Sequence, residues 1–256
     1  MLWAEWRVFV HNRRFLFISL GPLLMVIISA LSHYVAAQVG LAYVTGYSFL
    51  VSSTNLYVVI FLPFLGVAMG SYLFMAEFNW HTIRRPFMEH VSRRRFILMK
   101  AIIAGVVLAL LMLPYLLFTL LAGKFLFGFG PVLFEDVELS VGQSIIRPIF
   151  SYLWIGLIMY IFVIVGQIII LRTKNILISI LGGILPFYIF VAFGDSLPLY
   201  PIRLLFQIPQ HFLETKSYDT MLLMEVTQGL GVWAAIMGVL VILHVRLFQR
   251  QDVLIH

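Results

Sequence analysis

Long runs of apolar residues, separated by short polar stretches, organise this sequence. Residues 15–76 contain no Asp, Glu, Lys or Arg, which is enough chain for two membrane crossings at about 20 residues each. We place the break between them around Gln38 to Thr54, where glycine, serine and threonine interrupt the apolar pattern. Four further runs are each about one crossing long. The sequence therefore predicts six spans, near residues 15–37, 54–76, 101–123, 149–171, 175–194 and 226–245.

Composition indicates that these runs lie in lipid. Hydrophobic residues make up 62% of the chain and charged residues 11%, whereas a soluble domain carries about 25% charged residues. Only α-helices and closed β-barrels satisfy their backbone hydrogen bonds in a bilayer, and the runs lack the alternating pattern of barrel strands. We therefore expect an all-α polytopic membrane protein in which residues 1–256 form a single transmembrane domain.

The distribution of charge predicts how the spans are oriented. The formal net charge is +6, and most of the 17 basic residues fall on one side of the predicted membrane, in residues 1–14, 77–100, 172–174 and 246–250. The positive-inside rule makes that side cytoplasmic, with both termini on it. Because the basic residues border apolar runs, we interpret them as orientation signals and expect no nucleic-acid partner.

Residues 1–14 precede the first span and have an amphipathic pattern. The apolar residues at spacings of three and four are Leu2, Trp3, Trp6, Phe9 and Val10. This pattern predicts a helix in the cytoplasmic interface, with its tryptophans at headgroup depth. A simple extension of the first span is the alternative. The first span itself is longer than the roughly 7–15 residues of a signal-peptide core, so we expect it to be retained.

The cytoplasmic segment 77–100 is too charged to span a membrane, yet it keeps an apolar side. Its apolar residues include Trp80, Ile83, Phe87, Met88 and Val91. Such a segment could dock on a protein partner. Alternatively, its arginines could anchor lipid headgroups, at about 1 kcal/mol per basic residue. The sequence leaves both interpretations open.

Residues 195–224 form an external segment with apolar residues and three prolines, Pro198, Pro201 and Pro209. The prolines argue against one continuous helix, while the apolar content is too high for a solvated loop. We therefore expect short interfacial or re-entrant helices here, packed against the outer ends of the spans.

The chain shows no signature of catalysis. It has no cysteine, no phosphate-binding G-x-x-x-x-G-K-[ST] loop and no H-E-x-x-H or G-x-S-x-G motif. We expect no enzyme activity, no catalytic residue and no metal or cofactor bound by this chain. An intramembrane enzyme would also need paired reactive groups within the spans, and none is visible.

Few polar side chains interrupt the predicted spans. Asn55 and Gln167 are the candidates for a substrate path, because polar groups inside a membrane mark such paths. Gln167 could instead hydrogen-bond across helices. The near absence of charge disfavours an ion channel or a proton-driven carrier, so we expect the energy for transport to come from another chain.

At the cytoplasmic segment the sequence resembles a known family. Glu77, Thr82, the run His90-Val91-Ser92-Arg93, then Phe96-Ile97-Leu98 and Lys100 resemble the motif between the second and third spans of type 2 ABC exporter permeases. The six-span class linked to bacitracin and lantibiotic export or immunity is the most similar. The tail from Arg246 to Val253 resembles the ending of that class, and residues 1–14 look like its elbow helix. His90 stands where the family usually has proline.

The resemblance implies a permease subunit that pairs with a second permease chain and with two copies of a cytoplasmic ABC ATPase, which would hold ATP and Mg. It also implies a bacterial plasma-membrane location and amphipathic peptides or other hydrophobic compounds as substrates. The residues that would couple to the ATPase are Glu77, Thr82, Arg84, Arg85, Phe87, Met88, Glu89, His90, Val91, Arg93 and Arg94. The alternative function is a membrane scaffold or sensor that recruits a cytoplasmic partner through the same segment.

Overall fold

The structure, a computed structural model, describes residues 13–39, 45–56, 62–79, 92–129, 132–134, 137–193, 200–214 and 220–249. Its elements are α1 (Arg13–Gln38), α2 (Gly46–Leu56), α3 (Leu62–Asn79), α4 (Arg93–Ala122), a π-helical turn (Gly123–Phe127), β1 (Val132–Phe134), β2 (Val137–Leu139), α5 (Val141–Thr173), α6 (Ile176–Phe193), α7 (Tyr200–Glu214) and α8 (Thr220–Gln249). The expected helical fold class is confirmed. The antiparallel hairpin β1–β2, which pairs Val132 with Leu139, was not predicted.

Three helical stretches in the described part of the chain are long and apolar enough to cross a membrane. They are Arg93–Phe127, Val141–Thr173 and Leu222–Gln249. Three shorter apolar helices are Val26–Gln38, Pro63–Met75 and Ile176–Ile189. These assignments rest on length and composition, so the count of six spans and the cytoplasmic termini stay predictions. The predicted interfacial helix lies outside the described residues up to residue 12.

Helix α2 occupies much of the predicted break between the first two spans. Its hydroxyl groups bond to carbonyls of the preceding helical turn: Ser53 Oγ donates to Leu50 O over 3.0 Å, and Thr54 Oγ1 donates to the same oxygen over 2.7 Å. Hydroxyl groups bonded back to the preceding turn are compatible with a helix, although they slightly destabilise and bend it. Helix α1 ends at Gln38, where the predicted break begins, and α2 starts at Gly46 within it.

The predicted cytoplasmic segment 77–100 is partly helical, because α3 continues to Asn79 and α4 begins at Arg93. Ser92 caps α4: the Arg95 backbone N–H donates to Ser92 Oγ over 3.3 Å, and Phe96 N–H donates to Ser92 O over 3.0 Å. Serine at this position satisfies a backbone donor of the first turn. Within segment 77–100 the structure thus describes residues 77–79 as the end of α3 and residues 93–100 as the start of α4.

Helix α7 lies within the external segment 195–224, where the sequence predicts short helices. It runs continuously over Tyr200–Glu214 with Pro209 inside it. Pro201 lies in the first turn, where its missing N–H would have no helical partner. Pro209 removes one helical hydrogen bond, but the helix buries Ile208, Phe212 and Leu213 on one side. That packing stabilises the helix across the proline.

The chain divides into two compact units, which we describe separately. The first unit comprises Met1–Phe61, Ala109–Gly156 and Phe206–Thr227. The second unit comprises Leu62–Leu108, Leu157–Leu205 and Gln228–His256.

In the first unit, α2 packs against α1 and the π-helical turn. Gly46 N–H donates to Gly128 O over 3.0 Å, and a Cβ at Gly46 would lie 2.8 Å from Gly123 O, so the close approach requires glycine. The ring centroids of Phe49 and Phe127 are 5.2 Å apart. These contacts hold the end of the long helix against α2.

Polar contacts tie α7 into the first unit. Tyr47 Oη donates to the backbone oxygen of Leu213, and Ser151 Oγ donates to Pro209 O over 2.9 Å. His211 Nδ1 lies 2.7 Å from Glu225 Oε2. These bonds anchor the C-terminal part of α7 to α2, α5 and the start of α8.

In the second unit, α5 packs against α4 and α8. Tyr160 Oη donates to Ala101 O over 2.8 Å, and Trp233 Nε1 donates to Leu157 O over 2.8 Å. Both bonds satisfy aromatic polar groups that would otherwise face apolar surroundings. They also show which parts of α4 and α8 lie beside α5.

On another side of α5, α3 and α6 approach very closely. A Cβ at Gly70 would overlap the backbone of Val163, and a Cβ at Gly183 would lie 2.7 Å from Val67 Cγ1. Ser71 Oγ and Ser179 Oγ are 2.6 Å apart. Small residues and hydroxyl pairs of this kind hold helices together where lipid supplies no hydrophobic drive.

Candidate functional site

Most of the predicted coupling residues lie outside the described residues. These are Thr82, Arg84, Arg85, Phe87, Met88, Glu89, His90 and Val91. Glu77 lies in the last turn of α3 and Asn55 near the end of α2, and for both only the backbone placement is described. Arg93, Arg94 and Gln167 can be described with their side chains.

Arg93 and Arg94 occupy the first turn of α4 and differ in their contacts. Arg93 Nη1 donates to the backbone oxygen of Gln249 over 2.9 Å. That oxygen belongs to the last residue of α8, where helical carbonyls lack partners within their own helix. Arg94 is exposed. Arg93 therefore joins the start of α4 to the end of α8.

A buried group of residues packs beside this contact. We call it the aromatic cluster; its members are Phe74, Phe96, Ile97, Ile170, Leu171 and Phe248. The rings of Phe96 and Phe248 are stacked with centroids 5.6 Å apart, and Phe74 meets Phe96 edge to face at 6.4 Å. Edge-to-face and stacked pairs each contribute about 0.5–1.5 kcal/mol beyond burial. The cluster joins α3, α4, α5 and α8.

The cluster lies at the two helix ends that flank the predicted coupling segment. Phe74 is in the part of α3 that leads into this segment, and Phe96 is in the first turn of α4 that follows it. A displacement of the segment would therefore be passed to the aromatic cluster through both α3 and α4. Close-packed interiors transmit such strain because they have few voids to absorb it.

Lys100 is buried one turn beyond Phe96 on α4. Its exposed fraction is 4%, and its Nζ lies 5.6 Å from the centroid of the Phe96 ring. A lysine over an aromatic face is attracted by the ring quadrupole, more strongly when water is excluded. Lys100 belongs to the motif that carries the family resemblance, and the structure places it directly against the aromatic cluster.

Gln167, the candidate for a substrate path, is fully buried on α5. Among the residues that the structure describes, its Nε2 and Oε1 have no hydrogen-bond partner. The hydrogen bond to another helix that the sequence allowed is therefore not made within the described part of the chain.

His244 on α8 is a second buried polar residue whose side chain lacks a hydrogen-bond partner among the described residues. Its ring is fully buried and lies edge to face with Phe74 at 5.5 Å between centroids. Neither ring nitrogen has a hydrogen-bond partner among the described residues. No group of His, Cys, Asp or Glu that could hold a metal ion occurs in this part of the chain.

Comparison with protein families identifies the chain. The family model described as "ABC-2 family transporter protein" matches residues 1–194. The chain belongs to the ABC-2 transporter family. No curated protein and no solved structure matches it. The family match confirms the prediction of a type 2 ABC permease. ABC-2 permeases generally work with a cytoplasmic ATPase.

The matched region of the ABC-2 permease includes α1 to α6 and most of the aromatic cluster. Phe248 and His244 lie beyond it, on α8. Sequence reasoning used the tail that contains Phe248 as part of the family resemblance, but it missed His244. A signal was present, since His244 is a polar residue near the end of an otherwise apolar run. The run 226–245 contains no Asp, Glu, Lys or Arg, and a count of those four residues does not register a histidine.

Proposed function

We propose that this ABC-2 permease is the transmembrane half of an exporter for amphipathic peptides, as in antimicrobial peptide export or immunity, or for other hydrophobic compounds. It crosses the bacterial plasma membrane six times with both ends in the cytoplasm. It pairs with a second permease chain, a copy of itself or a different one, and with two copies of a cytoplasmic ATPase. The partner ATPase binds ATP and Mg and hydrolyses the nucleotide; this chain has no ATPase activity.

The aromatic cluster is the observation that supports this proposal. It packs the two helices on either side of the coupling segment against α5 and α8, and Arg93 adds a direct bond between α4 and α8. A force applied to the segment by an ATPase would therefore act on four helices together. A surface that merely recruits a partner has no need of such a connection.

Within the coupling segment, Phe87, Met88 and Val91 would fill a groove of the ATPase. The arginines from Arg84 to Arg94 would pair with Glu77, Glu89 or carboxylates of the ATPase. Apolar and arginine anchors at the centre of an interface carry most of its binding energy, whereas charges at the rim carry little. The interface should therefore depend most on Phe87 and Met88.

The substrate class follows from the shortage of charge in the spans. Residues 101–123, 148–171 and 226–245, which lie within the longest described apolar helices, contain no Asp, Glu, Lys or Arg. A path lined by such helices suits amphipathic peptides or hydrophobic compounds, because a free ion or sugar would need more polar partners.

The test is ATP hydrolysis by the permease purified with its ATPase in lipid bilayers, with bacitracin and a lantibiotic added separately. We expect vanadate-sensitive hydrolysis that rises when a peptide is added, and no hydrolysis by the permease alone. A stable complex with the ATPase whose hydrolysis no peptide or hydrophobic compound changes would favour the scaffold or sensor function instead. Hydrolysis by the isolated permease would overturn the assignment of the motor to another chain.

A further inference from the structure

The buried polar residues of the second unit come from five different helices and lie one turn from the aromatic cluster or from the residues packed against it. We call them the polar layer; its members are Ser71, Lys100, Gln167, Ser179 and His244. Lys100 follows Phe96 by four residues, Gln167 precedes Leu171 by four and His244 precedes Phe248 by four. Residues four apart lie on the same face of a helix, one turn from each other. Each of these side chains therefore shares a helix face with a member of the cluster.

The positions of Gln167 and His244 along their helices also agree. Trp233 bonds to Leu157 O, so these two residues mark one level of α8 and α5. Gln167 is ten residues beyond Leu157 and His244 is eleven beyond Trp233, which at about 1.5 Å per residue is about 15 Å and 16 Å. The next turn of each helix contributes Leu171 and Phe248 to one cluster. The two side chains thus lie at the same level of the second unit.

Members of the polar layer differ in how their polar atoms are satisfied. Ser71 and Ser179 bond to each other, and Ser179 Oγ also donates to Gly166 O over 3.2 Å. Gln167 and His244 have no hydrogen-bond partner among the described residues, although both are fully buried. A buried polar group without a partner is unfavourable by about 1–3 kcal/mol. Leucine and phenylalanine would avoid that penalty, so the two polar side chains point to a bound group.

We propose that Gln167 and His244 bind the main-chain amides of a peptide as it passes through the second unit. A glutamine side chain carries a carbonyl and an NH₂, which match the N–H and C=O of one peptide unit. The imidazole of His244 supplies a further donor or acceptor at the same level. Both groups recognise the peptide backbone, which every peptide has, and so they set no requirement on its side chains.

This inference rests on the proposed function, and two experiments separate the two. The first uses the absence of cysteine from this sequence: Q167C and H244C each introduce the only thiol of this permease chain, and labelling is followed on that chain. Each complex, in membranes, is treated with a charged, membrane-impermeant thiol reagent, with and without ATP and vanadate. The matched controls are I164C and M237C, which replace buried apolar residues on the same two helices. This experiment needs no transported peptide.

We expect Q167C and H244C to react at least about tenfold faster than their controls in one nucleotide state. This ratio corresponds to a difference of about 1.4 kcal/mol in the free energy of exposing the thiol to the reagent. Equal rates for all four variants in every state would overturn the proposal. Should one variant fail to assemble, the other still decides the outcome against the control on its own helix.

The second experiment measures the bacitracin concentration that half-stimulates ATP hydrolysis in Q167L and H244F. Each change introduces an apolar side chain of similar size in place of a buried polar one, so the thermal midpoint of both variants should be no lower than that of wild type. We expect the half-stimulating concentration to rise about tenfold, as loss of about 1.4 kcal/mol of binding implies. The control S179A removes a hydroxyl that is bonded within the protein and should leave this concentration unchanged.

An unchanged concentration in both Q167L and H244F would show that the two residues do not bind peptide. If wild type itself shows no stimulation by peptides, the proposed peptide substrate fails. In that case, fast reaction of Q167C and H244C would still establish a water-accessible polar site, and slow reaction would overturn it.

Discussion

Arg93, in the first turn of α4, donates a hydrogen bond over 2.9 Å to the main-chain oxygen of Gln249, the last residue of α8. The two residues are far apart in sequence, and the bond joins the start of α4 to the end of α8 beside the aromatic cluster. It also reaches the end of the segment that we expect to meet the ATPase. The contact thus links a residue of the predicted coupling surface to a helix that takes no part in that surface.

We predict that R93A uncouples the permease with little loss of stability. Arg93 is partly exposed, so losing its bond should lower the free energy of unfolding by less than about 1 kcal/mol. Peptide-stimulated ATP hydrolysis should fall roughly fivefold, the factor that about 1 kcal/mol represents. The control is R95A, which removes an exposed arginine of α4 that is not among the predicted coupling residues. Equal stimulation in both variants would contradict a role for the bond to Gln249.

We predict that replacing Phe87 and Met88 together by Asp abolishes co-purification of the ATPase. Burying two carboxylates in an apolar groove is strongly unfavourable, because their hydration is lost without compensation. Insertion should be unaffected, since both residues lie outside the predicted spans. The measurement is the ratio of ATPase to permease after affinity purification. If the complex survives both changes, the coupling assignment is wrong.

We predict that G70A destabilises the permease. A Cβ at Gly70 would overlap the backbone of Val163, and a backbone cannot move aside as a flexible side chain does. Overpacking of this kind costs about 1–3 kcal/mol. The matched control is G238A on α8, where a Cβ would meet nothing within 4 Å. Thermal unfolding in detergent should show a lower midpoint for G70A alone; identical midpoints would contradict the close packing of α3 on α5.

We predict that F248A lowers stability by about 3–5 kcal/mol, the usual effect of removing a buried phenylalanine ring. Phe248 is fully buried and stacked on Phe96. The control L243A removes an apolar side chain from the same helix at a position that is 42% exposed. Unfolding by SDS titration compares the two. A double-mutant cycle with F96A should give a coupling of about 0.5–1.5 kcal/mol, and zero coupling would contradict the stacked pair.

Local pattern was sufficient for the class of protein and for most of its helices. Apolar runs of about 20 residues must satisfy their backbone internally, so helices at α1, α4, α5, α6 and α8 could be predicted without knowing what they pack against. Helix α2 and the passage of α7 through Pro209 could not. Helix α7 accommodates Pro209 because it buries Ile208, Phe212 and Leu213, and α2 packs on α1 and the π-helical turn; local pattern shows neither set of contacts.

The sequence by itself determined that this chain is a helical membrane protein of the type 2 ABC permease kind, and it indicated Gln167 as a polar exception. Only the tertiary structure brought Phe74, Phe96 and Phe248 together from three helices and placed His244 at the level of Gln167. The physical reason is that helix periodicity specifies which residues share a face, whereas the partner of that face depends on close packing between distant segments. The sequence predicted a set of coupling residues, but it did not show the packed aromatic cluster beside them.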